Sequence, residues 1–304
     1  MTPHRLGGVW APAITPFQKD LSPDPERFAR HATWLLENGC SGLAAFGTNS
    51  EANSLSVEER MTLLEYLVEH GVSPARLMPG TGCCALTDSV RLTAHAVGLG
   101  CAGVLMLPPF YYKGVSDEGL FRSFSEVIER VGDVRLRLYL YHIPPVAQVG
   151  ISISLVARLL KRYPQTVAGI KDSSGDWNNT AALLDAFAST GFEVFAGSEV
   201  FLLANLRHGG VGSISATANV NPAAIRQLFE NWREPDAGAM QEKIAATRAV
   251  VQKYPMIPAL KAIVARGLDD AQWATVRPPL VELSSGQRES LEAELDADGF
   301  ALAG

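Results

Sequence analysis

Eight short apolar, β-prone segments recur along this chain, most of them followed by a stretch of helix length: residues 9–17, 42–46, 76–82, 103–109, 136–144, 167–173, 192–198 and 211–217. Strand then helix, repeated, calls for a parallel sheet with its helices outside. Eight such units in roughly 220 residues match the usual size of a closed (β/α)8 barrel. The expected fold is therefore α/β, a TIM barrel over residues 1–220 carrying the active site. A C-terminal helical segment, 221–304, follows, with helices expected at 223–232, 237–251 and 258–265. An open doubly wound sheet is the competitor, but no Gly-x-Gly-x-x-Gly follows the first strand.

Several classes of function fall away on composition. Hydrophobic residues make up 47% of the chain and charged ones 19%, a globular balance. With net charge −6 and no dense Lys/Arg run, nucleic acid is not an expected partner. No stretch approaches the roughly 20 apolar residues of a membrane span, and the first residues lack an apolar run of signal-peptide length. Neither the four cysteines nor the six histidines show metal-ligand spacing, so no metal is expected. Reduced thiols in a cytoplasmic protein are the plain reading. No Gly-x-Ser-x-Gly elbow is present.

Active sites of such barrels lie at the carboxyl ends of the strands, which directs the search for reactive side chains. Of seven lysines, Lys171 alone sits within an apolar strand, in Val-Ala-Gly-Ile-Lys-Asp-Ser. Strand alternation puts Val167, Gly169, Lys171 and Ser173 on one face, with Gly169 leaving space beneath the lysine. Desolvation there favours the neutral amine, the form that attacks a ketone. The competing reading is a structural lysine paired with Asp172. On the fifth segment Tyr139 and Tyr141 share a face and His142 takes the other. A phenol beside a Schiff base can carry protons, although aromatics in strands more often serve the core. His142 is expected to be a satisfied core histidine facing the helices. The turn Phe46-Gly-Thr-Asn-Ser-Glu51 offers Thr48, Asn49 and successive N–H groups able to grip a carboxylate; an ordinary Asx or ST turn is the alternative.

With these residues the chain resembles the dihydrodipicolinate synthase and N-acetylneuraminate lyase superfamily of class I, pyruvate-handling barrels. The motifs that carry the resemblance are Gly47-Thr-Asn-Ser-Glu51, Pro109-Phe-Tyr-Tyr112, Tyr141-His-Ile-Pro144, Gly169-Ile-Lys-Asp172, Gly197-Ser198 and Ile214-Ser-Ala-Thr-Ala-Asn219. The resemblance implies that Lys171 is the Schiff-base nucleophile and Tyr141 a proton carrier. Thr48 would relay protons between Tyr141 and Tyr112, with Tyr112 reaching into a neighbouring subunit's site. It implies that the N–H groups of Thr48 and Asn49 hold the carboxylate of a small 2-oxo acid such as pyruvate, and that Ser173, Gly197, Ser198 and Ile214 lie beside the lysine. A homo-oligomer, usually a tetramer, and no cofactor are implied as well.

Two departures from the synthase branch bear on substrate. Asn49-Ser50 stands where the synthases usually carry Thr-Gly, and no arginine follows Tyr141-His-Ile-Pro144, where they use one to hold the second substrate's carboxylate. Lys171-Asp-Ser-Ser-Gly-Asp176 and Ala196-Gly-Ser198 are similar to the 4-hydroxy-2-oxoglutarate aldolase branch. The expected reaction is retro-aldol release of pyruvate from a 4-hydroxy-2-oxo acid. Dihydrodipicolinate synthesis from pyruvate and aspartate semialdehyde is one alternative, and a non-catalytic 2-oxo-acid sensor is another.

Overall fold

A computed structural model describes residues 5–302. Seven strands form one parallel sheet: β1 (Gly8–Ala11), β2 (Gly42–Leu43), β3 (Val104–Met106), β4 (Leu138–His142), β5 (Val167–Asp172), β6 (Glu193–Ala196) and β7 (Gly212–Ile214). Their order is β2-β1-β7-β6-β5-β4-β3. The third β-prone segment, 76–82, pairs only through isolated bridges, Leu43 with Leu77 and Gly80 with Leu105. These tie together the two strands that would otherwise be the sheet's edges, with Met78 N–H donating to Leu43 O at 2.8 Å and Thr81 N–H to Leu105 O at 2.9 Å. Pro79 lacks the N–H a continuous ladder needs, which keeps this segment from being a regular strand.

Strands are shorter than the apolar runs that announce them, for similar reasons. β1 stops at Ala11 because Pro12 follows, and the run after β2 turns away where Phe46 adopts a left-handed φ of 59°. Helices begin where local chemistry favours them. Ser56 and Glu59 form a reciprocal capping box at Val57–Glu69, and Ser116 caps Asp117–Val131. After β6 the connection is brief, a helix at Leu202–Arg207, as its length required.

Side chains from the strands and the segments that extend them point inward. Trp10, Ala44, Met78, Leu105, Tyr139, Phe195 and Ile214 form a buried cluster inside the sheet, with Tyr141 above them. Gly169 is the small member of this ring, and the space it leaves is taken by Tyr139: a Cβ at Gly169 would lie 2.8 Å from that ring. Outside, the helices bury a larger core, into which Pro222–Asn231 contributes Ile225 and Leu228.

The C-terminal helices Ala237–Val251 and Met256–Gly267 fall where the sequence pattern places them; a further one, Ser285–Ala297, escaped it despite a Ser284–Gln287 capping box. Val251, Leu260, Ile263, Leu291 and Leu295 pack with Ile14, Ala216 and Val220, residues just beyond the carboxyl ends of β1 and β7. The C-terminal segment therefore covers the carboxyl end of the sheet. No helix among the described residues is long and apolar enough to cross a membrane.

Candidate active site

Lys171 and Tyr141 are register partners on β5 and β4. Both side chains point inward at the carboxyl end, and Lys171 is only 3% exposed. Its amine lies 4.2 Å from the centroid of the Tyr141 ring. Asp172 takes no part, because alternation turns it outward. There it accepts from Thr180 Oγ1 at 2.6 Å, Asn179 Nδ2 at 3.0 Å and the Ser174 N–H at 2.9 Å. Among the described residues no carboxylate forms an ion pair with Lys171, so the pairing with Asp172 that a structural lysine would use is not formed.

The turn after β2 brings Thr48 against Tyr141, with Thr48 Oγ1 3.3 Å from the phenol oxygen. The Ser50 and Glu51 N–H groups are spent on Gly47 O and Thr48 O, each at 3.2 Å. Those of Thr48 and Asn49 have no partner among the described residues. Two unengaged N–H donors thus belong to residues that line the same cavity as the Lys171 amine, a place suited to a carboxylate.

The cavity has a volume of about 360 Å³, and its polar lining includes Thr48, Asn49, Tyr141, Lys171, Ser173, Gly197 and Ser198, with Arg248. Ile143, Val146, Phe201, Met256, Ile257 and Leu280 make its apolar wall. Gly197 is required by close approach: a Cβ there would stand 2.0 Å from Ser173 Oγ and 2.6 Å from Asp172 O. Ile214 is fully buried in the ring below and does not line the cavity. Tyr112 is 70% exposed and stacks edge-on with Tyr111 rather than entering its own chain's cavity. His142 is buried on the helix side, where its Nδ1 accepts from the Ile151 N–H at 2.9 Å; burial depresses its pKa.

Two groups of site residues went unnoticed in the sequence. Arg248, on the helix Ala237–Val251, lines the cavity and donates through Nη1 to Glu199 Oε2 at 2.9 Å. Glu199 is fully buried and is also held by the Ser215 and Thr217 hydroxyls. Behind the Thr48 turn, Lys261 forms a buried ion pair with Glu51 and donates to Thr275 O at 2.8 Å; burial pushes its pKa down to about 8. Arg277 completes this support through its N–H to Glu51 Oε2 at 3.0 Å and its guanidinium to Glu59. No local signal marks these residues, since each is one charged side chain among many on an ordinary helix or loop.

The model of the dihydrodipicolinate synthetase family matches residues 5–298. The chain belongs to this family. It is similar to an uncharacterised DapA-like lyase of Chloroflexus aurantiacus, 33% identical over 94% of this chain and 95% of that protein. It is also 29% identical to the 4-hydroxy-tetrahydrodipicolinate synthase of Bacillus subtilis, over 95% and 98% of the two chains. Among solved structures it resembles the dihydrodipicolinate synthase of Agrobacterium tumefaciens, with a TM-score of 0.89 and 33% identity, covering 96% of this chain and 99% of that one. A prophage protein of the dihydrodipicolinic acid synthase family from E. coli K12, solved in complex with pyruvate, has a TM-score of 0.90 at 25% identity and covers 99% and 100%. As a member of the dihydrodipicolinate synthetase family, the chain is a lyase on a parallel α/β scaffold.

Proposed function

We propose that this lyase is a class I aldolase in which Lys171 condenses with the C2 ketone of a 4-hydroxy-2-oxo acid, such as 4-hydroxy-2-oxoglutarate, and releases pyruvate. The observation that carries it is the Lys171 amine, buried, without an ion-pair partner among the described residues, and facing the Tyr141–Thr48 hydrogen bond. Attack at C2 and loss of water give an iminium. As C3–C4 breaks, its electron pair moves into the iminium to make an enamine, and C4 leaves as an aldehyde. Tyr141, which gives its proton to the departing water as the iminium forms, takes the C4 hydroxyl proton as C3–C4 breaks and returns it to C3 of the enamine, with Thr48 Oγ1 hydrogen-bonded to its oxygen. Protonation of the enamine at C3 and hydrolysis return Lys171 and free pyruvate. The unengaged N–H groups of Thr48 and Asn49 hold the C1 carboxylate, and Ser173, Gly197 and Ser198 shape the floor around it.

Tyr112 and Tyr111, 70% and 74% exposed, support a second copy of the chain as the cover for this loop, with Tyr112 completing the partner's proton relay. The synthase reading is favoured by the Bacillus subtilis relative and opposed by the absence of arginine after Pro144, where Val146 lines the cavity instead. Borohydride reduction in the presence of pyruvate, followed by peptide mapping, tests the assignment. A tag on Lys171, with faster turnover of 4-hydroxy-2-oxo acids than of pyruvate plus aspartate semialdehyde, is expected. The absence of a tag would sink the proposal.

A further inference from the structure

The cavity is far larger than pyruvate needs, and its lining joins hydroxyls and unpartnered N–H groups that suit a 2-oxo acid with the apolar side chains of Phe201, Met256, Ile257 and Leu280. Among the described residues Arg248 is the only cationic lining residue besides Lys171. It is held in place: Nη1 reaches both Glu199 Oε2 at 2.9 Å and Ser215 Oγ at 3.4 Å, and the side chain is 16% exposed. Its Nε and Nη2 have no partner among the described residues. A purely structural clasp between the C-terminal helix and Glu199 accounts for Nη1. It leaves two donors of a rigid guanidinium, on a residue that lines the cavity, without a partner among the described residues.

We propose that Arg248 binds a second anionic group on the substrate, a carboxylate carried by the aldehyde half, so that the enzyme selects dicarboxylic 4-hydroxy-2-oxo acids. This rests on the Schiff-base reading, in which the C1 carboxylate is already met by the Lys171 iminium and the Thr48–Asn49 N–H groups. A second carboxylate needs its own donor, and the apolar wall provides none. Glu199 offsets much of the guanidinium charge, so directional N–H bonds carry the recognition. Charge-assisted bonds of this kind distinguish a carboxylate from a methyl group by about 10- to 100-fold.

The test compares kcat/KM for 4-hydroxy-2-oxoglutarate and for 4-hydroxy-2-oxopentanoate, which carries a methyl group in place of the distal carboxylate. The wild-type enzyme is expected to favour the dicarboxylate by about 10- to 100-fold, and Arg248→Lys and Arg248→Gln to bring that ratio toward one. Arg248→Lys leaves Glu199 a cationic neighbour, and the wild-type ratio decides the matter even if neither variant folds. A wild type indifferent to the carboxylate, or variants that keep its preference, would overturn the proposal. If pyruvate tags Lys171 but neither substrate is turned over, the specificity inference falls and the Schiff base stands; with no tag, both fall.

Discussion

Tyr141 and Lys171 face each other across the β4–β5 register, and the lysine amine stands 4.2 Å from the phenol ring's centroid. The Tyr141 oxygen in turn meets Thr48 Oγ1 at 3.3 Å. Ring and hydroxyl therefore have separable duties in the proposed reaction: the ring packs beside the amine, and the oxygen moves protons. Tyr141→Phe keeps the first and removes the second. Its kcat should fall by roughly 10²- to 10⁴-fold, the usual worth of a positioned proton carrier, while circular dichroism stays native. Thr48→Val removes one neutral hydrogen bond and should cost only about 5-fold. Equal losses in the two variants, read from steady-state kinetics, would contradict the division of roles.

Gly197 lies where a Cβ would collide with Ser173 Oγ and with the backbone oxygen of Asp172. The hydroxyl can rotate away, but the carbonyl belongs to β5 next to Lys171 and cannot move alone. Gly197→Ala should therefore lower stability by about 1–3 kcal/mol, the cost of overpacking, and raise KM for pyruvate-yielding substrates. Thermal unfolding and a KM measurement check it; an unchanged KM would place the strain outside the site.

Lys261 and Glu51 are a buried ion pair behind the turn that presents Thr48 and Asn49. Removing one partner leaves the other charged or forced to neutralise in a dry place. Lys261→Met or Glu51→Gln alone should cost about 3–5 kcal/mol. The double variant should recover part of that loss, giving a coupling energy of at least about 1 kcal/mol in a denaturant cycle. Strict additivity would show the pair does not act as a unit.

His31 is 3% exposed, packed against Trp34 and Trp273, and 3.3 Å from Asn219 Oδ1. Burial pushes its pKa down to about 4, from 6.5. The folded state thus prefers the neutral ring, and below pH about 6.5 the unfolded chain binds the extra proton. This contribution is fully present above pH about 6.5 and is lost as pH falls to about 4, amounting to about 3 kcal/mol. His31→Gln should flatten the stability profile in that window while leaving carboxylate titration at lower pH. Parallel profiles for the two proteins would reject this role.

Much of this molecule follows from local pattern. Period-two alternation put Lys171 and Tyr141 on inward faces and Asp172 and His142 outward, because successive strand side chains must oppose one another. The positions of seven strands, the brief helix after β6 and the cap at Ser56 were legible for the same reason: each depends on residues a few places apart. Strand lengths were overread, because Pro12 and Pro79 interrupt ladders within runs that remain apolar.

Arg248, Glu199, Lys261 and Arg277 were illegible, since their chemistry comes from burial and from partners distant in the chain. A charged residue on an exposed helix and one that lines a cavity look the same until the helix is packed. By itself the sequence determined which side chains the strands turn inward, and with them the amine and phenol of the proposed reaction. Only the tertiary structure decided what surrounds them: folding the C-terminal helices over the carboxyl ends of the strands buries Glu199 and Lys261 and adds a guanidinium to the lining of the cavity that holds Lys171.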